Sequence, residues 1–304
     1  MIVAITGGRG FIGKRLVDKH IKNGDHVRVL SRKIRPKEVG VEYFHGNLSN
    51  PDVELSRFVD GANVLYHCAG EINNKFLMPE LHVNGTQRLI NAAQGKIRRW
   101  VQLSTVGAYG ACRIGTITED SNEKPLGVYE RTKTDSDNIV KNSNIPYVIL
   151  RPSNVFGEDM PNQSFRQLLH QVRKGFFFFI GKENKFLVNY VHVEDVVDAL
   201  MLCSCEDKAL GQVFILSQST TLENMITSFI SESASYKKFL RVPECLVRVI
   251  VAICQYIPGF PLTSSRVDAL TNKCVYNSTK IQKKLGFKYP MTLEARVKLF
   301  TKSF

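Results

Sequence analysis

The sequence predicts an α/β protein, a doubly wound parallel sheet with a smaller, mainly helical C-terminal lobe. Three observations carry this. Short apolar segments alternate with amphipathic ones through the first 150 residues. The first apolar segment runs directly into a glycine-rich turn and then into helical spacing. After residue 157 the alternation loosens and helical spacing dominates.

Residues 2–6, IVAIT, are an apolar run ending in glycines and read as a strand. Phe11, Ile12, Leu16, Val17 and Ile21 recur at helical spacing over 11–22, and Asn23-Gly24 ends that helix. Strands follow at 26–30, 41–44 and 63–67, then a helix at 77–93, a strand at 100–104, a helix at 128–141 and a strand at 146–150. This rhythm requires right-handed crossovers and a sheet covered by helices on both faces. Farther on, 162–173 and 194–202 read as helices, 176–180 as a very apolar pentad, and 212–216 as a strand. Helices at 222–231, 243–257, 279–285 and 293–302 complete the chain, without an internal repeat. The most apolar of them, 245–257, carries Arg248 and is shorter than the roughly 20 apolar residues of a membrane span. It reads as a core helix of the second lobe, with a membrane surface or a dimer interface as the alternatives.

A chain of 304 residues, 43% hydrophobic and 23% charged, buries a sizeable core and is not disordered, collagen-like or coiled-coil. The net charge of +13 suggests an anionic partner, whether nucleic acid, a membrane surface or a phosphate-bearing small molecule, with a soluble enzyme of basic surface as the alternative. No basic run longer than 32–37 stands beside aromatics, so nucleic acid is not expected. The seven cysteines form no paired CxxC, and Cys203 and Cys205 are too close to be two arms of a usual zinc site. No metal is expected, and scattered thiols fit a reducing cytoplasm. The opening MIVAIT lacks a charged n-region and reads as a strand rather than a signal peptide.

Gly7, Gly10 and Gly13 lie between the first strand and the first helix, with Phe11 and Ile12 completing the turn. Such a turn needs glycine for its tightness, for close approach of backbone to a pyrophosphate, and for helix–strand packing. The helix N-terminus adds free N–H groups and partial positive charge. The expected fold is therefore a Rossmann domain over 1–160 that binds a nicotinamide dinucleotide, with 190–217 returning to it. Residues 161–189 and 218–304 form the substrate lobe. Ser31 and Arg32 end the second strand, where an NAD-binding fold usually places an acid. Arg9, inside the turn, is a second cation within reach. Two guanidiniums facing a 2′-phosphate favour NADP(H) over NAD(H).

Tyr129 and Lys133 share one helix face at i,i+4 spacing. A phenol with a pKa of about 10 needs nearby positive charge to act near neutral pH. Thr105, at the end of the fifth predicted strand, is a hydroxyl placed to hold a substrate oxygen.

With these residues in view, the sequence resembles the extended short-chain dehydrogenase/reductase family, the NAD-dependent epimerase/dehydratase group. TGGRGFIG at 6–13 is similar to its T-G-x-x-G-x-x-G, and His67-Cys68-Ala69-Gly70 to its H-x-A-G. The segment from Asn84-Gly85-Thr86 to Ala93 is similar to N-x-x-G-T-x-x-L-L-x-A-A, although Asn84 directly precedes Gly85. LSTVGAYG at 103–110, Tyr129/Lys133, RPSNVFG at 151–157 and YVHVEDVVDAL at 190–200 match further motifs. The resemblance implies Tyr129 as acid/base, Lys133 on the nicotinamide ribose, Thr105 orienting substrate, and Ala69 and Gly70 bordering the cofactor. It also implies Asn154 near a substrate pyrophosphate. Asn47-Leu48 stands where the family has Asp-Leu beside the adenine, and Asn189 stands where many sugar-nucleotide members have arginine. Arg266 is the candidate for that missing cation.

The chemistry implied is hydride transfer at a keto or hydroxyl carbon of a nucleotide-diphosphate sugar, as NADP-dependent reductase or epimerase. Val106 and Gly107 after Thr105 carry no proton-transfer group, which argues against a dehydratase. The alternatives are a steroid- or flavonoid-type alcohol dehydrogenase of the same family and a non-catalytic binding subunit. By resemblance, two copies pair through the helices at 77–93 and 128–141.

Overall fold

The computed structural model describes the chain apart from residues 35, 37, 162, 232–238, 255, 258–261 and 303–304. Asn162, at the head of one expected helix, Gln255, within another, and two positions of the basic run 32–37 thus lie outside the described residues.

Seven strands form the central sheet: β1 (Ile2–Thr6), β2 (His26–Ser31), β3 (Val41–His45), β4 (Val64–His67), β5 (Arg99–Leu103), β6 (Tyr147–Pro152) and β7 (Gln212–Leu216). Their order is β7-β6-β5-β4-β1-β2-β3, and every neighbouring pair is parallel. The chain winds outward from β1 to β3 and then crosses to β4 on the other side of β1. That reversal opens a crevice at the carboxyl ends of β1 and β4, where ligands bind in such sheets. The helices used below are α1 (Gly13–Lys22), α2 (Gly85–Ala93), α3 (Val128–Lys141) and α4 (Val193–Cys205).

Alternation along the strands divides the core between the two faces. Val3 and Ile5 of β1 pack with Leu16 of α1 and Val196 and Leu200 of α4. Ala4, between them, faces Leu89 and Ile90 of α2, Val140 of α3 and Trp100. A separate cluster builds the C-terminal lobe from Phe156, Phe165, Leu169, Met225, Phe229, Val297 and Phe300.

Some elements differ from the sequence expectation. Phe11 and Ile12 belong to the glycine turn, and α1 begins at Gly13. The helix expected over 77–93 opens with a π-helical stretch, Pro79–Asn84, before α2. Of the apolar pentad, only Phe179–Ile180 is strand, paired with Arg241–Val242. Strands at Ile114–Ile117, Asn154–Phe156, Leu187–His192, Gln218–Thr221 and Lys273–Tyr276 were not expected. Four of them have only three or four residues, and all have partners remote in sequence, such as Ile114 beside Lys273. The apolar helix runs Glu244–Cys254 and is a core helix on one stripe only: Val247 and Val251 are buried, whereas Leu246, Val249, Ile250 and Ile253 are exposed.

Candidate active site

The glycine turn follows β1 at the crevice. Gly7 has φ +68, and a Cβ there would lie 2.7 Å from the Cys68 carbonyl and the Ala69 nitrogen. At Gly13 a Cβ would meet the Gly7 oxygen at 2.2 Å. Gly10 N–H donates to the Gly7 oxygen at 2.8 Å, closing the turn. No side chain caps the start of α1. The Lys14 N–H donates to the Gly10 oxygen at 3.0 Å, and the turn and helix start form a cradle that β-carbons would fill, which fits a dinucleotide pyrophosphate. Phe11 stacks under the Arg15 guanidinium, 4.9 Å from the ring centre.

Ser31 is buried at the end of β2 and its hydroxyl donates to the Lys33 oxygen at 2.8 Å. Arg32 is exposed. Arg9 reaches across β2 to the Tyr43 hydroxyl of β3 at 3.4 Å and lies 3.9 Å from Glu38. Glu38 also accepts from the Tyr43 hydroxyl at 2.5 Å. Sequence reasoning missed this carboxylate, which offsets part of the Arg9 charge. Asn47 is exposed and its side chain accepts from Ser49 N–H at 3.1 Å, whereas Leu48 is buried against Gly85 of α2. Ala69 N–H donates to the Thr6 hydroxyl at 3.3 Å, and Gly70 beyond it is exposed.

The proposed chemistry would sit at the end of β5. Ser104 is buried and donates to Asp137 at 2.7 Å, so it is withdrawn into the protein. Thr105 remains half-exposed, and its oxygen accepts from Gly107 N–H at 3.1 Å. Lys133 is buried, and its Nζ donates to the Leu103 oxygen at 2.6 Å. Burial lowers its pKa, opposed by the charge of Asp137 one turn along α3. Tyr129, one turn earlier, is pushed up to about 12 by burial and then by the carboxylates of Glu130 and Asp137. The phenol is therefore fully protonated at neutral pH in the protein alone.

Asp137 is itself fixed by Arg151 at 2.8 Å, and Arg151 also meets Glu123 at 2.7 Å. The Arg151 guanidinium stacks 5.0 Å from the centre of the Tyr109 ring. This buried group ties the end of α3 to β6 and so fixes the helix that carries Tyr129 and Lys133.

One residue that packs against Tyr129 was missed. His82 is buried in the π-helical stretch. Its Nε2 accepts from Glu71 N–H at 2.9 Å, and its Nδ1 pairs with the Thr132 hydroxyl at 2.8 Å. Its ring stands edge-on to Tyr129 at 5.7 Å. The imidazole thus spans from the loop after β4 to the helix of Tyr129. Burial pushes its pKa down to about 3, in keeping with a ring nitrogen that accepts an N–H. The signal was legible: in N-x-x-G-T the first residue stands three before the glycine, and three before Gly85 is His82, not Asn84. Beneath it, His67, Thr86, Ser136 and Gln102 form a buried hydrogen-bonded chain with contacts of 3.0, 2.8 and 2.9 Å.

The expected substrate contacts lie on the C-terminal side. Asn154 is exposed, with its amide 3.4 Å from the Asn189 oxygen. Asn189 is buried, donating to the Cys274 oxygen at 2.9 Å and accepting from the Ser219 hydroxyl at 2.6 Å. Arg266 is exposed in the helix Ser264–Leu270 and reaches Gln167 at 3.3 Å. Among the described residues no cluster of three metal-binding side chains occurs.

Comparison with known proteins agrees with the fold and the motifs. Residues 3–215 match the family model of the NAD dependent epimerase/dehydratase family. The chain is 26% identical over 331 residues to sterol-4-alpha-carboxylate 3-dehydrogenase, decarboxylating, of Mus musculus, covering 99% of this chain and 90% of that one. It is 25% identical over 323 residues to UDP-glucose 4-epimerase of Vibrio cholerae, covering 99% and 95%. The structure of UDP-glucuronic acid 4-epimerase from Bacillus cereus in complex with NAD superposes with a TM-score of 0.75 at 20% identity, covering 99% and 96%. With its glycine turn and central sheet in place and most of its length matched, the chain belongs to the NAD-dependent epimerase/dehydratase family.

Proposed function

We propose that the protein is an NAD(P)-dependent oxidoreductase or epimerase acting at a keto or hydroxyl carbon of a nucleotide-diphosphate sugar. The observation that carries the reading is the gathering of Thr105, Lys133 and the helix of Tyr129 at the carboxyl end of β5, beside the glycine cradle. The bound nicotinamide supplies or accepts the hydride. Tyr129 exchanges the alcohol proton, Thr105 holds the oxygen, and the Lys133 ammonium favours the phenolate when the proton leaves.

Asn154 and Arg266 are the proposed contacts to the substrate diphosphate. Arg9 and Arg32 are proposed to meet a 2′-phosphate and to favour NADP(H), with Glu38 tempering Arg9. A cytoplasmic location, and pairing of two copies through the helices at 77–93 and 128–141, belong to the same reading. A groove between these helices is lined by Gln87, Asn91, Asn138 and Asn142.

A second reading, an apolar secondary alcohol such as a sterol, is favoured by Asn189, whose amide is already engaged on both sides and which brings no cation. A thermal-shift panel with NADPH present separates the two. UDP or GDP sugars raise the melting temperature on the first reading. A rise with sterols and none with nucleotides overturns it.

A further inference from the structure

We propose that the helix Glu244–Cys254, with the strand ladder leading into it, docks on the surface of an anionic lipid bilayer. Leu246, Val249, Ile250 and Ile253 recur at i, i+3, i+4 and i+7, opposite the buried stripe of Val247 and Val251. An outward helix stripe on a soluble protein is normally polar, yet Val249 is 58% and Ile253 70% exposed. The two charged residues of the helix do not interrupt the stripe. Arg248 binds Glu244 at 2.9 Å and Asp268 at 3.0 Å, along the side facing the helix Ser264–Leu270.

The apolar surface continues along the chain. Leu240 and Phe176 are each 78% exposed. They precede the two strands of the ladder in which Arg241 pairs with Phe179 and Val242 with Ile180. The cations Lys174, Lys182 and Lys185 stand next to these segments and are exposed, with Glu183 the one acid between Ile180 and Phe186. The chain as a whole carries +13. An apolar stripe with a basic rim matches acyl chains beneath anionic headgroups. A second copy is a poorer partner, since joining two such surfaces brings two basic rims together.

Eleven helical residues span roughly 16 Å, about half the hydrocarbon thickness. Among the described residues no helix is long and apolar enough to cross a membrane. The geometry is therefore that of a helix lying in the interface, its apolar side down.

The test is co-sedimentation of the full chain with vesicles of phosphatidylcholine alone or mixed with phosphatidylglycerol. Binding to the mixed vesicles should exceed binding to the neutral ones about tenfold and weaken at high salt. The double variant Val249→Asp, Ile253→Asp should lose about tenfold or more of that binding, while its melting temperature and its stabilisation by NADPH stay unchanged. Absence of pelleting with either vesicle overturns the proposal, as does equal pelleting of the double variant. Light scattering showing a dimer that the double variant converts to monomer also overturns it and gives the stripe to a second copy.

Discussion

Replacing Tyr129 with phenylalanine removes one oxygen and leaves the ring against His82, 5.7 Å away at 80°. Among the described residues the Tyr129 hydroxyl makes no hydrogen bond, so folding loses little when it goes. A net hydrogen bond is worth about 1 kcal/mol, and Tyr129→Phe should shift Tm by no more than about 2 °C in a chain of this size. The chemistry is a different matter. Removing a positioned proton donor costs about 10²- to 10⁴-fold in rate, or roughly 2.7–5.4 kcal/mol of barrier. The expected outcome is a kcat lowered by that factor with the cofactor Kd unchanged. Turnover is followed by nicotinamide absorbance, Kd by titration, and Tm by thermal scan. A variant that keeps kcat within threefold of the parent refutes the role of Tyr129. Loss of activity together with loss of cofactor binding would assign it to structure instead.

Asp137→Ala strands Arg151, which is 1% exposed, with Glu123 as its remaining acid, and should destabilise by about 3–5 kcal/mol. The denaturant midpoint checks this, and an unshifted midpoint means the pair contributes nothing net. His82→Ala removes the acceptor for Glu71 N–H and the link to Thr132, and should lower kcat about tenfold more than it raises the substrate KM. Recovery of part of kcat by His82→Gln would mark a positioning role, and equal loss in both variants would oppose it. Stability should fall as pH drops below 6.5, because His82 and His192 sit at about 3 and 4 in the fold against 6.5 unfolded. His20 and His67 are lowered by burial as well. The unfolded chain then binds more protons, about 1.4 kcal/mol per pH unit for each histidine. A Tm that is flat from pH 7 to 5 contradicts this.

Much of the cofactor half was legible. Its strands are apolar runs of four to six residues and its helices have marked periodicity, both local properties. The short strands of the C-terminal half were not legible. Asn154–Phe156 pairs with Tyr190–His192, and Ile114–Ile117 with Lys273–Tyr276, so their pairing is a property of remote partners. The π-helical turn before α2 was invisible as well, since apolar spacing alone does not separate it from an α-helix.

Sequence by itself determined the seven strands of the central sheet in chain order, the glycine turn at the head of α1, and the i,i+4 placement of Tyr129 and Lys133. Each depends on spacing along a few residues. Only the tertiary structure decided what those residues face. It withdrew Ser104 onto Asp137 and left Thr105 half-exposed. It set Glu38 beside Arg9, engaged both sides of the Asn189 amide, and placed His82 between the loop after β4 and α3. It also turned one stripe of the apolar helix to solvent. The physical reason is the same throughout: charge offset, hydrogen-bond satisfaction and burial depend on atoms brought in from distant parts of the chain.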